Sequence, residues 1–210
     1  MSLSISTFVL GPIENNTYLI ADKATKKSAI IDPSVASREL SQKIQENNWS
    51  LEYILITHAH FDHIGGVKWF RKQYNKRLNV ALHPDDLELW REGGSSKDFG
   101  FEFNVGSEPN LNLEDNQILR LGETSIKVLH TPGHTPGHVT FSIEKELAAF
   151  CGDLIFYHGV GRTDLIISNE DDLIQSIRGK IFMLDQKTTL FPGHGPATTV
   201  QEEKENNPFL

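Results

Sequence analysis

The residues with the clearest chemical potential lie in one short run, Thr57-His58-Ala59-His60-Phe61-Asp62-His63. Four side chains in it can ligate a metal: three imidazoles and a carboxylate, the donors that Zn²⁺, Fe or Mn accept. The apolar stretch Tyr53-Ile54-Leu55-Ile56 precedes them, so a strand delivers the group, and a helix is expected to start near Asp62. His58 and His60 are two apart and share one side of an extended chain. Asp62 and His63 are adjacent and must diverge. Such an arrangement suits two neighbouring ions, one pair for each, better than a single ion. Chance surface histidines or a loose His-rich tract are the plain alternatives. A tract of that kind does not ordinarily end a buried strand, and further donors follow at equivalent places.

His134 lies within Thr131-Pro132-Gly133-His134-Thr135-Pro136-Gly137-His138, where two Pro-Gly pairs make a tight loop after a strand. Asp153 follows the apolar Phe150-Cys151-Gly152, and His194 stands in Phe191-Pro192-Gly193-His194-Gly195-Pro196. Each candidate follows a strand and is flanked by glycine or proline. Loops at one edge of a sandwich can converge and form a rigid cage that keeps positions open for water or substrate. His130 and His138 flank the His134 loop and read as supporting groups. His83, before Pro84, reads as a helix-start residue. His158 has two readings, a pocket group or a solvated loop residue. Cys151 reads as a small buried apolar side chain.

The elements that must carry these groups can be traced from the pattern. Strands are expected over residues 4–10, 16–21, 28–31, 51–57 and 79–82, and again over 117–121, 124–130, 138–143, 147–150 and 188–191. Helices are expected from Ser34 or Ser37 to about Asn47, from Asp62 to Tyr74, from Pro84 to about Arg91, over 171–177 and over 200–205. Val35, Leu40 and Ile44 form the apolar face of the first helix, Ile64, Val67 and Phe70 that of the second, and Leu173, Ile174 and Ile177 that of the fourth. Gly65-Gly66 weakens the second helix, which makes sense if backbone must approach closely there. Residues 93–112 have no clear period and read as a lid or pocket wall, or else as a partly ordered surface loop whose alternating Phe99, Phe101 and Phe103 cover the core. Two groups of strands, each with its own helices, imply an α/β fold of two mixed sheets packed face to face with helices on the outer faces.

The chain has 210 residues, 38% hydrophobic and 23% charged, enough for one domain with a sizeable core. We expect a single domain over 1–210. The formal charge of −8 argues against a nucleic-acid partner. No transmembrane span or secretory signal is read, and the single cysteine fits a reducing, cytoplasmic setting. The oligomeric state is not readable.

With His58, His60, Asp62, His63, His134, Asp153 and His194 in this order, the chain resembles the metallo-β-lactamase superfamily over nearly its whole length. The resemblance implies the four-layer αββα sandwich and two divalent ions, Zn²⁺ first, with Fe or Mn as alternatives. It implies that His58, His60 and His134 hold one ion, Asp62, His63 and His194 the other, and that Asp153 bridges them. β-Lactamases of the superfamily commonly lack this full set, and the flavodiiron branch has Glu where this chain has His60. The chain looks most like the glyoxalase II-type hydroxyacylglutathione hydrolases, in a shorter bacterial form, through Gly161-Arg162-Thr163-Asp164 and the stretch from Gly193 to Thr199.

That resemblance implies hydrolysis of a small-molecule thioester such as S-lactoylglutathione by a hydroxide shared between the ions, with Asp62 orienting it. Arg162 falls where the family places a basic residue for the glutathione glycine carboxylate; its other reading is an ion pair with Asp164. The helical C-terminal extension of full-length glyoxalase II, with its glutathione contacts, has no counterpart after His194, which leaves the thiol half open. The rival readings are a mononuclear-iron glutathione persulfide dioxygenase, a small-lactone hydrolase, and a metal-dependent binding module.

Overall fold

The computed structural model describes residues 3–74, 78–100 and 102–210. Six strands form the first sheet in chain order: β1 (Leu3–Leu10), β2 (Asn15–Asp22), β3 (Lys27–Ile31), β4 (Ser50–Leu55), β5 (Asn79–Leu82) and β6 (Leu111–Asn112). The first three run antiparallel, and β3 to β6 run parallel. The next strands are β7 (Ile118–Leu121), β8 (Thr124–His130), β9 (Val139–Ile143), β10 (Ala148–Gly152), the hairpin β11 (Ile155–Phe156) and β12 (Gly159–Val160), β13 (Thr189–Pro192) and β14 (Thr198–Thr199). The second sheet has the order β14-β13-β10-β9-β8-β7, with β10 and β13 parallel and the other pairs antiparallel. The helices are α1 (Arg38–Glu46), α2 (Phe61–Ile64), α3 (Val67–Tyr74), α4 (Leu87–Arg91), α5 (Glu170–Gly179) and α6 (Val200–Asn206).

Period-two alternation explains the layering. Tyr18 and Ile20 of β2 face the second sheet and join a core with Ile31, Leu55, Val128, Phe141 and Phe150. Leu19 between them points the other way, with Ile30, Ile54 and Val80, onto Leu40, Ile44, Val67 and Phe70 of α1 and α3. On the far side, Ala149, Cys151 and Leu190 pack against Leu173, Ile177 and Val200 of α5 and α6. Three apolar seams between four layers give the αββα sandwich. Among the described residues, no helix is long and apolar enough to cross a membrane.

Three expectations need correction. The helix expected over 62–74 is two helices, broken at Gly65-Gly66, because a Cβ on Gly66 would lie 2.8 Å from the carbonyl carbon of Val35 and 2.9 Å from the Pro33 oxygen. The Gly66 N–H donates to Pro33 O at 2.7 Å, so the break is a backbone docking point. Of the two caps expected for the first helix, Ser37 is the one found, its hydroxyl accepting from Leu40 N, and the helix begins at Arg38. Val35 therefore lies outside it, half-buried. The segment opened by Pro84 is a 3-10 turn, Pro84–Asp86, before α4 begins. Phe101 lies outside the described residues.

Candidate metal centre

The first ligand loop is shaped by the ends of two parallel strands. Asp32, just past β3, is held at a positive φ of 49°. Its Oδ1 accepts from the Thr57 N–H (2.8 Å) and its Oδ2 from the Thr57 hydroxyl (2.6 Å). The same Oδ2 lies 3.0 Å from His63 Nδ1. One carboxylate thus fixes the chain leaving β4 and aims the imidazole on α2. His58 Nδ1 lies 3.1 Å from the Thr57 hydroxyl oxygen, leaving Nε2 to face the interior of the loop cluster. His60 is the residue before α2, and Asp62 and His63 sit in that helix's single turn.

Three other loops meet this one. His134 donates Nδ1–H to the carbonyl oxygen of Arg162 (2.9 Å), and its Nε2 lies 2.9 Å from His60 Nδ1. His194 donates Nδ1–H to Ile13 O (3.1 Å) and turns Nε2 to Asp62 Oδ2 at 3.1 Å. Asp153, directly after β10, stands between: Oδ1 is 3.4 Å from His63 Nε2, and Oδ2 is 3.8 Å from His134 Nε2 and 3.7 Å from His194 Nε2. Gly193 permits this approach, since a Cβ there would collide with the Asp153 carboxylate and lie 2.8 Å from the His63 ring. Ligand atoms of His58, His60 and His134 all fall within 4.8 Å of one another, as do those of Asp62, His63 and His194, and those of His58, His63 and Asp153. The seven side chains singled out from the sequence are therefore brought together as two adjoining triads with Asp153 between them.

The chemistry of this donor set fits two cations. His58 Nε2 and Asp153 Oδ1 are buried and have no hydrogen-bond partner among the described residues. Such orphans are costly in a folded interior, and a cation would satisfy donors that face it. Burial, with His63 and His134 nearby, pushes His58 well below the usual imidazole range. Burial and the neighbouring His134 push His60 down to about 3. Both are therefore neutral and able to ligate. Around His63 the balance is reversed. Burial alone would lower it, but Asp62, Asp153 and Asp32 together raise it well above the ordinary value. Burial likewise pushes Asp62 and Asp153 up, yet the charge of His63 holds both well below the usual carboxylate range, joined at Asp62 by a hydrogen bond from His194. Three carboxylates around one imidazole make a field that favours positive charge, which a bound dication would supply.

The remaining candidates fall elsewhere. Arg162 lines the cavity over the triads, and its guanidinium grips Asp164 through Nε (2.7 Å) and Nη2 (2.8 Å). His158 lies outside that cavity, its Nε2 on Glu202 (2.8 Å) and its backbone N–H on the buried Glu203. His138 is buried behind His58, with Nδ1 on the Thr131 hydroxyl at 2.9 Å. His130 donates to Pro136 O and stacks on His83 with centroids 4.0 Å apart. His83 accepts from Asp85 N and so starts the 3-10 turn, as its place before Pro84 suggests.

Sequence reasoning passed over Asp32 and Asp86. Asp86 is buried and ties two ligand loops together: Oδ2 accepts from Ala59 N (2.9 Å) and from the Thr135 hydroxyl (2.8 Å), and Oδ1 from Gly137 N (2.6 Å). An Asp-Pro at a strand end was the one local sign of Asp32, and a place in a helix start the one sign of Asp86. The cavity has a volume of about 460 Å³, with Asp62, His60, His134, Asp153 and His194 on its floor. Ser95, Asp98 and Phe99 form one wall, so the segment from residue 93 supplies part of the pocket.

A fold of this topology with two adjoining His/Asp triads at its loop edge fits a dinuclear metal site of the metallohydrolase kind. The chain belongs to the metallo-beta-lactamase superfamily, whose profile matches residues 10–199. It is 33% identical to hydroxyacylglutathione hydrolase GloC of Haemophilus influenzae, over 99% of this chain and 98% of that one. Among solved structures, it is similar to the BLEG-1 B3 metallo-beta-lactamase, with a TM-score of 0.91, 34% identity and 99% of each chain covered. It is also similar to TTHA1623 in a di-iron-bound form, with a TM-score of 0.85, 35% identity, and 98% of this chain and 100% of that one covered.

Proposed function

We propose that this protein hydrolyses a small-molecule thioester, an S-2-hydroxyacylglutathione or a similar small-thiol thioester, using two divalent ions held by the triads. His58, His60 and His134 would hold one ion, and Asp62, His63 and His194 the other, with Asp153 between them. Zn²⁺, Fe and Mn all suit these donors. When bound, such ions supply a water-derived nucleophile near neutral pH and positive charge for the developing oxyanion. The protein's part is to fix the donors: Asp32, Thr57 and the carbonyls of Arg162 and Ile13 each hold the outer nitrogen of one imidazole. Asp62, whose carboxylate edges the cavity, orients the attacking water. Arg162 stands at the pocket wall, where it can meet the thiol half while braced by Asp164.

The observation that carries this reading is the pair of adjoining triads beneath an open cavity, and the kinship with a hydroxyacylglutathione hydrolase supports the thioester. The test is metal analysis of reconstituted protein together with a panel of S-lactoylglutathione, other thioesters and lactones. Two ions per chain and thioester cleavage are expected. Asp62→Ala should lose nearly all turnover, lower the metal content toward one ion and keep its circular-dichroism spectrum. Normal S-lactoylglutathione cleavage by that variant overturns the assignment. One ion per chain with oxygen uptake on a persulfide supports a dioxygenase instead. β-Lactam hydrolysis is the second reading, favoured by the likeness to the B3 metallo-beta-lactamase. A β-lactam arm in the same panel decides it.

A further inference from the structure

The walls above the triads say something about the acyl group. Ile13, Phe61, Phe99 and Leu165 line the cavity beside the ligands. Ile13 is 44% exposed and Phe99 57% exposed, so large apolar surface is held in water at the mouth of the site. Scattered exposed apolar residues need no explanation, but apolar groups gathered at the rim of a functional cavity mark a binding surface. Their placement is also fixed. The Ile13 carbonyl receives the His194 imidazole, and Leu165 lies three residues after the carbonyl of Arg162 that receives His134. Phe99 ends a 3-10 turn, Ser96–Phe99, next to Gly94, whose carbonyl accepts from the Phe61 N–H (2.9 Å). Its ring meets Phe61 with centroids 4.9 Å apart. Each apolar wall is thereby tied to a loop that carries metal-binding donors.

The polar groups do not favour a charged acyl group. Apart from the ions the triads would hold, Arg162 is the one lysine or arginine among the described residues lining the cavity, and Asp164 already holds two of its nitrogens. Asp98 stands on the wall of Phe99 and would repel a carboxylate.

Resting on the thioester-hydrolase reading, we infer that the acyl half of the substrate is apolar, an aliphatic or aryl group larger than acetyl, packed on Ile13, Phe61 and Phe99. Specificity then comes from contact with these side chains and not from a hydroxyl on the acyl group. The thiol is kept constant in the test. S-acetyl, S-butyryl and S-hexanoyl glutathione, with S-lactoylglutathione, are compared in metal-reconstituted protein, and S-methyl and S-hexyl glutathione, which have no cleavable carbonyl, in a calorimetric binding assay. We expect kcat/KM to rise about threefold per added methylene, S-lactoyl to fall below S-butyryl, and S-hexyl to bind more than tenfold tighter than S-methyl.

The double variant Ile13→Ser with Phe99→Ser alters exposed side chains, should keep the parent's Tm, and should flatten both gradients. Cleavage with a flat or falling series, or equal binding of the two thioethers, overturns the inference and leaves the hydrolase reading standing. Failure to cleave any thioester, acetyl included, overturns that reading and the inference with it.

Discussion

Asp32 acts on three groups with two oxygens: the Thr57 N–H, the Thr57 hydroxyl and His63 Nδ1. Removing it takes the carboxylate from His63 Nδ1 and loosens the chain that carries His58. Partners of this kind are typically worth 10- to 100-fold in metal affinity. We therefore expect Asp32→Ala to weaken the ion held by Asp62, His63 and His194 by about that factor, read by competition with a chromogenic chelator. Unchanged affinity would show that His63 is positioned without it. The difference between Asp32 and the ligands also explains what could be read from sequence. The first four ligands cluster behind one apolar strand, and His134, Asp153 and His194 stand behind others beside glycine or proline, which is a local signature. Asp32 looks like any turn aspartate before proline, and its meaning depends on Thr57, which arrives only when β3 and β4 pair in parallel. Asp86 was legible only as part of a helix start. The Arg162 carbonyl that orients His134 could not be seen at all, because every residue has a carbonyl.

At the level of elements, apolar spacing located most strands and helices, yet it ran α2 and α3 together. Ile64, Val67 and Phe70 keep a helical interval across the break and are all buried, so periodicity alone gives no sign of it. The Gly65-Gly66 pair did, and its reason is the carbonyls of Ser34 and Val35 lying against it. Adding a methyl at Gly66 presses on backbone that cannot turn aside. Overpacking of this sort destabilises by about 1–3 kcal/mol. For a chain of this size that corresponds to a Tm lowered by about 3–10 °C. Gly66→Ala should show that shift in a thermal melt, and a melt that matches the parent would mean that the 33–36 segment can move away. The short pieces β6, β11, β12 and β14 have two residues each, too few to display any period, and were missed for that reason.

For the whole molecule, what matters is how two sheets are kept in register so that their loops meet at one edge. The apolar seams press the sheets together without fixing their slide, because hydrophobic burial is not directional. Asp22 supplies direction. It ends β2 in the first sheet, is buried, and accepts from Ala24 N and Thr25 N in the following turn. Across the interface, its other oxygen accepts from Glu123 N, Thr124 N and the Thr124 hydroxyl at the β7–β8 turn of the second sheet. Burial pushes this carboxyl up, but the hydrogen bonds from Thr25, Glu123 and Thr124 outweigh burial and hold it below its ordinary value of 3.8. A group whose pKa is lower folded than unfolded binds protons more readily in the unfolded chain. Its contribution is therefore complete above the unfolded value near 3.8 and is lost as pH falls through the folded one. Asp22→Asn keeps the shape but removes the charge and replaces one acceptor oxygen with a donor, leaving N–H groups unanswered at about 1–3 kcal/mol. The variant should be less stable than the parent in urea at pH 7. The gap should narrow on going from pH 5 toward pH 3, as the parent loses what the variant never had. A gap that stays constant with pH would mean that the carboxylate acts through shape alone, and that the two sheets are held in register by something other than this charge.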